Sequence, residues 1–208
     1  ASSDPTQLQT SATLDGDEWV ITGRKWFTTG ANRAAYTTVM CRTEPDAPDH
    51  SAFSMIIVPT DTPGYTIVRE TPVLGIRGGH CEVVYDDVRV PADHLLGERG
   101  RGFVIAQERL GPGRIHHCMR WMGVCERVFD TMCRHVTRRK IDDDKTLSTR
   151  QIVQAWVAES RAGIDAARLM VLHAAWTIEK KGFAAAREQV SLIKFHVAGV
   201  MMKVIDRA

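Results

Sequence analysis

The sequence predicts an α+β protein: an antiparallel β domain over residues 1–99, a barrel or a sandwich, followed by at least three antiparallel helices over residues 100–208. Three observations carry this reading. The apolar period changes near residue 100 from short alternating runs to a repeat of three or four. Seven of the eight prolines fall in the first part, mostly in its turns. Asp15-Gly16, set between two alternating stretches, is the strongest short hairpin signal in the chain.

Taken in order, Thr10 to Leu14 alternates, Asp15-Gly16 turns the chain, and Glu18 to Thr22 alternates again. Further β-rich runs cover Trp26 to Thr29, Ala35 to Arg42, Ser51 to Val58, Tyr65 to Val68 and Glu82 to Val90. Gly23, Gly30, Pro59, Pro63-Gly64, Gly75 and Gly78-Gly79 punctuate them. Several short strands with regular breaks suit an antiparallel barrel or sandwich.

Past Gly102, Phe103 to Arg109 reads as a short helix ended by Gly111-Pro112-Gly113. A longer helix then spans about Arg114 to Arg138, with Ile115, Met119, Met122, Cys125, Phe129, Met132 and Val136 on one face. After a polar connection from Lys140 to Thr146, a second long helix opens at Ser148, which with Gln151 forms an S-x-x-Q capping box. Its stripe is Ile152, Trp156, Ile164, Ala167 and Val171, and Lys180-Lys181-Gly182 stops it. A last helix from Ala184 carries Val190, Ile193, Val197, Val200, Met201, Val204 and Ile205. No stop signal follows it, and the chain opens without a methionine, so the sequence reads as a fragment.

The 208 residues carry a formal net charge of +2 and no long block of Lys and Arg, which gives no electrostatic case for nucleic acid. Arg134, Arg138, Arg139 and Lys140 are answered at once by Asp142, Asp143 and Asp144. No apolar run is long enough for a membrane span, and no secretory leader is visible. The five cysteines are odd in number and form no C-x-x-C pair, so they read as reduced, mostly buried thiols. His116, His117 and Cys118 are adjacent and point apart on a helix, so no metal site is expected.

Candidate chemistry is sparse. Gly97 to Gly102 precedes a helix and could present N–H groups to an anion, but a flexible domain connection explains it better. Arg114, just after the Pro-Gly break and near a helix N-terminus, could grip a phosphate as readily as be a surface charge. Trp26-Phe27-Thr28-Thr29 groups aromatic rings with hydroxyls, as a planar cofactor would require. On the residues alone, an ordinary barrel strand is the better account.

Several segments, in order, resemble the acyl-CoA dehydrogenase family. Ala1-Ser2-Ser3-Asp4 looks like the end of its T-E-P-x-x-x-S-D segment, and Asp15 to Gly30 resembles D-G-D-x-Y-V-I-N-G-x-K-x-W-I-T-N. Gly75-Ile76-Arg77-Gly78-Gly79 is similar to G-x-R-x-S, Val84 to Pro91 to F-x-D-V-x-V-P, and Leu96 to Phe103 to L-G-x-x-G-x-G-F. Arg109 to Arg120, R-L-G-P-G-R-I-H-H-C-M-R, resembles one subgroup with bacterial and animal members.

The resemblance implies an antiparallel β-barrel middle domain followed by part of an all-α four-helix-bundle domain. It implies FAD-dependent α,β-dehydrogenation of an acyl-CoA thioester, in which a carboxylate removes the α-proton and the β-hydride passes to flavin N5. Carried over by position, Ser2, Phe27, Thr28 and Thr29 would lie at the flavin, with Phe27 where the family usually has Trp. Ser3 and Arg114 would contact the acyl-CoA. Arg139 and Gln151 would reach the adenine dinucleotide part of a flavin on a neighbouring subunit, although the acidic, one-residue-longer turn at Asp142–Asp144 departs from the family pattern. The family's catalytic carboxylate falls beyond Ala208, so no base is named and the fragment alone is expected to be inactive. Glu159 and Asp165 read as ordinary helix residues. An electron-transfer flavoprotein as acceptor, a homodimer or homotetramer, and a bacterial cytoplasmic location (mitochondrial if eukaryotic) are further expectations. The alternatives are a catalytically inactive paralogue or scaffold subunit, and an interaction module using exposed helix faces.

Overall fold

The computed structural model describes residues 4–208. The chain folds as two compact units, one running up to Glu108 and one from Arg109 to Ala208.

The first unit is a seven-stranded sheet. Its strands are β1 (Ser11–Asp15), β2 (Glu18–Thr29), β3 (Tyr36–Arg42), β4 (Phe53–Pro59), β5 (Tyr65–Glu70), β6 (His80–Pro91) and the two-residue β7 (Leu95–Leu96). Their order is β5-β6-β2-β1-β3-β4-β7. The hairpin at Asp15-Gly16 forms as the sequence indicates: Asp15 pairs with Glu18 and Leu14 with Trp19, and Gly16 takes the positive φ of 66° that a two-residue turn demands. Among the described residues every strand pairing is antiparallel except one parallel bridge, Ser11 with Arg42, which joins the two halves of the sheet.

Closure into a barrel, expected from the sequence, is not seen. The sheet is open, with β5 and β7 at its edges. The short β7 pairs only with β4, and β5 is exposed along nearly its whole length and carries Arg69 and Glu70, charges that blunt an edge. The inner face still forms one apolar core, including Trp19, Ile21, Val39, Cys41, Ile56, Val58, Val83, Tyr85, Val88 and Val90.

A second difference concerns Gly23. The sequence suggests a strand break there, yet β2 runs through it. Gly23 has φ 151°, and a Cβ would come within 2.6 Å of Thr10 Oγ1, so the glycine permits a close approach to Thr10 inside a continuous strand. The Gly97–Gly102 connection is also tied down. Gly100 N–H donates to Ser54 Oγ at 2.9 Å, and Arg99 pairs with Glu44 while lying 5.4 Å from the Trp19 ring centre.

The helices are α1 (Gly102–Arg138), α2 (Gln151–Lys181) and α3 (Arg187–Arg207). Gly111-Pro112-Gly113 does not end a helix: α1 is continuous for 37 residues with Pro112 inside it. Proline removes one N–H and crowds the carbonyl four residues back, here that of Glu108. The border between the two units falls directly after that residue. The glycine at 111 is required for another reason, since a Cβ there would meet the Phe183 ring at 2.2 Å.

The capping box at Ser148 is also absent. Ser148 lies in a 3-10 turn, Leu147–Thr149, with its hydroxyl 2.7 Å from Thr146 Oγ1, and Arg150 precedes α2 without a side-chain cap. The turn takes the Arg150 N–H for itself through Leu147 O, which pushes the helix start three residues on. The stripe shifts accordingly. Val153 is buried while Ile152 and Trp156 are exposed, and Ile164, Ala167 and Val171 are buried as the period indicates. In α1, Met119 is likewise exposed, whereas Met122, Cys125, Met132 and Val136 are buried.

Contacts in the second unit run in opposite senses along successive helices. Val136 clusters with Val153, and Glu126 pairs with Arg161 and Arg168, so α1 and α2 are antiparallel. Gly163 faces Val200 and Glu159 pairs with Arg207, so α2 and α3 are antiparallel too. The shared core holds Cys118, Met122, Cys125, Ile164, Ala167, Val171, Ile193, Val197 and Val204. Of the five cysteines, all free, four are buried and Cys133 is half-buried. Among the described residues no helix is long and apolar enough to cross a membrane.

Candidate functional site

The end of β2 is built to present aromatic rings and hydroxyls outward. Lys25 is level with Val83 on β6, but the next registered pair is Thr28 with Cys81, so β2 carries one extra residue between them. The inversion matters because side chains alternate along a strand. Lys25 points inward, its Nζ donating to Met40 O at 2.7 Å. Without the bulge Phe27 would share that inward face. The added residue turns Phe27 outward with Thr29 instead, at the cost of a positive φ of 55°. A bulky residue held at positive φ is strained, and such residues cluster at functional sites.

The outward face is well furnished. Trp26 and Phe27 are each about half exposed, with ring centres 5.8 Å apart. Thr29 Oγ1 lies 2.9 Å from His80 Nδ1 across the strand pair, and the His80 ring meets Phe27 edge-on at 5.9 Å. Gly30, at φ 76°, donates its N–H to Gly79 O at 3.1 Å and closes the end of the ladder.

Behind these groups Glu82 is buried, with its carboxylate held by Arg69 at 2.6 Å and by Arg24. Arg69, first, and the Trp26 and Arg24 side chains keep that carboxyl below the usual carboxylate range. Arg69 also stands 5.9 Å from the Trp26 ring centre. A planar aromatic group with a polar edge fits this face. It would lie on the exposed Phe27 ring, with the tilted Trp26 ring beside it, and find the Thr29 hydroxyl at its rim.

Ser2 and Ser3 lie outside the described residues. Thr28 is half-buried and paired with Cys81, on the inward side. Arg114 is not near a helix N-terminus, because α1 begins at Gly102. It is a half-buried residue inside that helix and makes no ion pair among the described residues.

Arg139 and Gln151 are both exposed. They flank a two-stranded hairpin of β8 (Lys140–Asp142) and β9 (Lys145–Thr146), and Leu147 N–H donates to Arg139 O at 2.8 Å. With no capping box formed, helix capping no longer accounts for Gln151. Asp142, Asp143 and Asp144 are all exposed at the hairpin tip. Glu159 and Asp165 pair with Arg207 and Arg161, which gives them structural work. Among the described residues no group of His, Cys, Asp and Glu could hold a metal ion.

His80 and the Glu82–Arg69–Arg24 cluster were not singled out by sequence reasoning. Their relation to Thr29 and Trp26 depends on the register across a bulge, which no local pattern encodes.

Comparison with known proteins gives a consistent result. The acyl-CoA dehydrogenase middle-domain family matches residues 1–88, and the acyl-CoA dehydrogenase C-terminal-domain family matches residues 100–208. The chain is 51% identical over 212 residues to Probable acyl-CoA dehydrogenase FadE2 of Mycobacterium tuberculosis, covering all of this chain and 52% of that protein. A solved structure from Mycobacterium abscessus assigned to the acyl-CoA dehydrogenases superposes with a TM-score of 0.89 at 40% identity, over 100% of this chain and 52% of that one. A glutaryl-CoA dehydrogenase from Mycobacterium smegmatis in complex with FADH2 gives a TM-score of 0.83 at 27% identity, over 98% of this chain and 50% of that one. The chain thus spans about half the length of these relatives.

Proposed function

The chain belongs to the acyl-CoA dehydrogenase family, and from that premise we propose that the full-length protein catalyses FAD-dependent α,β-dehydrogenation of an acyl-CoA thioester. The observation that carries the reading is the bulge in β2. It holds Phe27 in a strained conformation so that its ring and the Thr29 hydroxyl share one exposed face. Bound FAD would supply the two-electron acceptor for the hydride leaving the β-carbon.

This chain's residues would do the positioning. Phe27 stacks on the ring system, and Thr29 offers its hydroxyl to the ring's polar edge. Thr28 keeps that strand end registered on Cys81. Ser2 is assigned to the flavin and Ser3 to the thioester by position alone. Arg114, with no carboxylate partner in its own unit, is free to meet a phosphate of the CoA moiety. Arg139 and Gln151 are exposed beside one hairpin and suit a nucleotide brought by a neighbouring subunit. The three aspartates of that hairpin face water, where a unit charge pair at 4 Å is worth only about 1 kcal/mol and salt screens it further. The acidic turn therefore leaves the nucleotide contact standing. No residue of this chain is assigned as the base.

The reading extends to a homo-oligomer and to an electron-transfer flavoprotein as acceptor. Exposed apolar side chains on α2 and α3, among them Leu169, Trp176, Phe195 and Met202, support burial by further protein. The second reading, a flavin-free or inert paralogue, draws on Phe27 in place of the family's Trp and on the acidic turn. Dye-linked reduction by the full-length protein, assayed over a series of acyl-CoA chain lengths, separates the two. Turnover with at least one thioester is expected; flavin-containing protein inert to every thioester would overturn the dehydrogenase assignment.

A further inference from the structure

We propose that His80 is a positioning residue that fixes the direction of the Thr29 hydroxyl and so sets the hydrogen-bonding polarity offered to the flavin. The inference rests on the reading of the β2 end as a flavin site. Thr29 and His80 are cross-strand partners at the last registered pair of β2 and β6. Their polar atoms are 2.9 Å apart, within hydrogen-bond reach. The imidazole is further located by its edge-on contact with Phe27, the ring expected to stack on the cofactor.

The chemistry follows from the donor inventory. A threonine hydroxyl has one hydrogen and two lone pairs, whereas the Nδ1 of a neutral imidazole either accepts or donates according to the tautomer. With the ring hydrogen on Nε2, Nδ1 accepts the Thr29 hydrogen, and the hydroxyl oxygen turns its lone pairs toward the cofactor. The Thr29 hydroxyl is assigned here to the flavin's N5 edge, which presents a lone pair when oxidised and a hydrogen when two-electron-reduced. A hydroxyl fixed as an acceptor favours the reduced form; a hydroxyl free to rotate serves both. His80 thus biases the redox equilibrium through Thr29 without touching the thioester.

A merely structural reading predicts little of this. The pair is at the surface of the sheet end, where a hydrogen bond contributes about 1 kcal/mol or less to folding, and its loss would leave the flavin's redox properties unchanged.

The test is the midpoint potential of FAD bound to the full-length holoprotein, measured for wild type, His80→Leu, His80→Gln, Thr29→Val and the double variant. His80→Leu and Thr29→Val should each lower the potential by a similar amount, with preference for the reduced form falling severalfold; a tenfold loss corresponds to about 30 mV for a two-electron couple. His80→Gln, which keeps a polar group in reach, should recover most of the shift, and the double variant should add nothing to either single one. Either single variant carries the comparison where the other fails to fold. Potentials equal to wild type in both, or additive shifts in the double variant, would overturn the assignment while leaving the flavin site standing. A wild-type protein without flavin would instead remove the underlying reading, and this inference with it.

Discussion

Lys25 and Phe27, one residue apart, show how a single inserted position divides structural from functional work. Lys25 is directed into the first unit, where burial pushes its ammonium down to about 8 and pushes the neighbouring Cys41 thiol up to about 12. Between pH 8 and 9 the unfolded chain keeps the lysine proton that the folded chain is losing, so stability rises with pH; above pH 9 the protonated Cys41 opposes that rise. Lys25→Met should abolish the rise. The stability difference between wild type and variant is expected to change by about 1 kcal/mol between pH 8 and 9, read from urea midpoints. A parallel pH dependence in the two proteins would show that the lysine is not desolvated. At this scale the sequence was partly legible: the aromatic–hydroxyl run at Trp26 to Thr29 was visible. What His80 and Glu82 do was hidden, because it arises only when β6 is laid against a bulged β2.

At the scale of elements, local chemistry was legible and tertiary choices were not. The hairpin at Asp15-Gly16 is encoded by the turn itself, and the strands and helices fall close to where periodicity puts them. Pro112 misled because a helix held along both of its stretches tolerates one missing hydrogen bond. Pro112→Ala should therefore stabilise the protein, by about 1–3 kcal/mol given the penalty for proline inside a helix. No gain in the denaturation midpoint would mean that α1 is already broken there.

The start of α2 misled because the 3-10 turn claimed the residues that a capping box would have used. Glu82 joins three strands, taking Arg24 from β2 and Arg69 from β5 onto β6. Its carboxyl is held below the usual range, so its contribution is present above the ordinary carboxylate pKa and is lost as pH falls through the lower folded value. Glu82→Gln should lower stability at neutral pH and flatten the loss of stability below about pH 4. An acid transition as steep as that of wild type would contradict the bridging role.

For the whole molecule, the change of apolar period near residue 100 gave the order of the parts, a β domain and then helices, while the open sheet could be seen only in the fold. The account turns on the bulged end of β2 being a flavin site. Phe27→Gly isolates that claim. Glycine relieves about 1–2 kcal/mol of left-handed strain and costs about 0.5–1 kcal/mol in chain entropy, so folding should be little changed while the stacking ring is lost. The measurement is the FAD content of purified full-length protein by visible absorbance, for wild type and Phe27→Gly. The account predicts yellow wild-type protein with about one FAD per chain and a folded variant that loses most of it on dilution. Colourless wild type, or a variant that keeps its flavin as firmly as wild type, would contradict it.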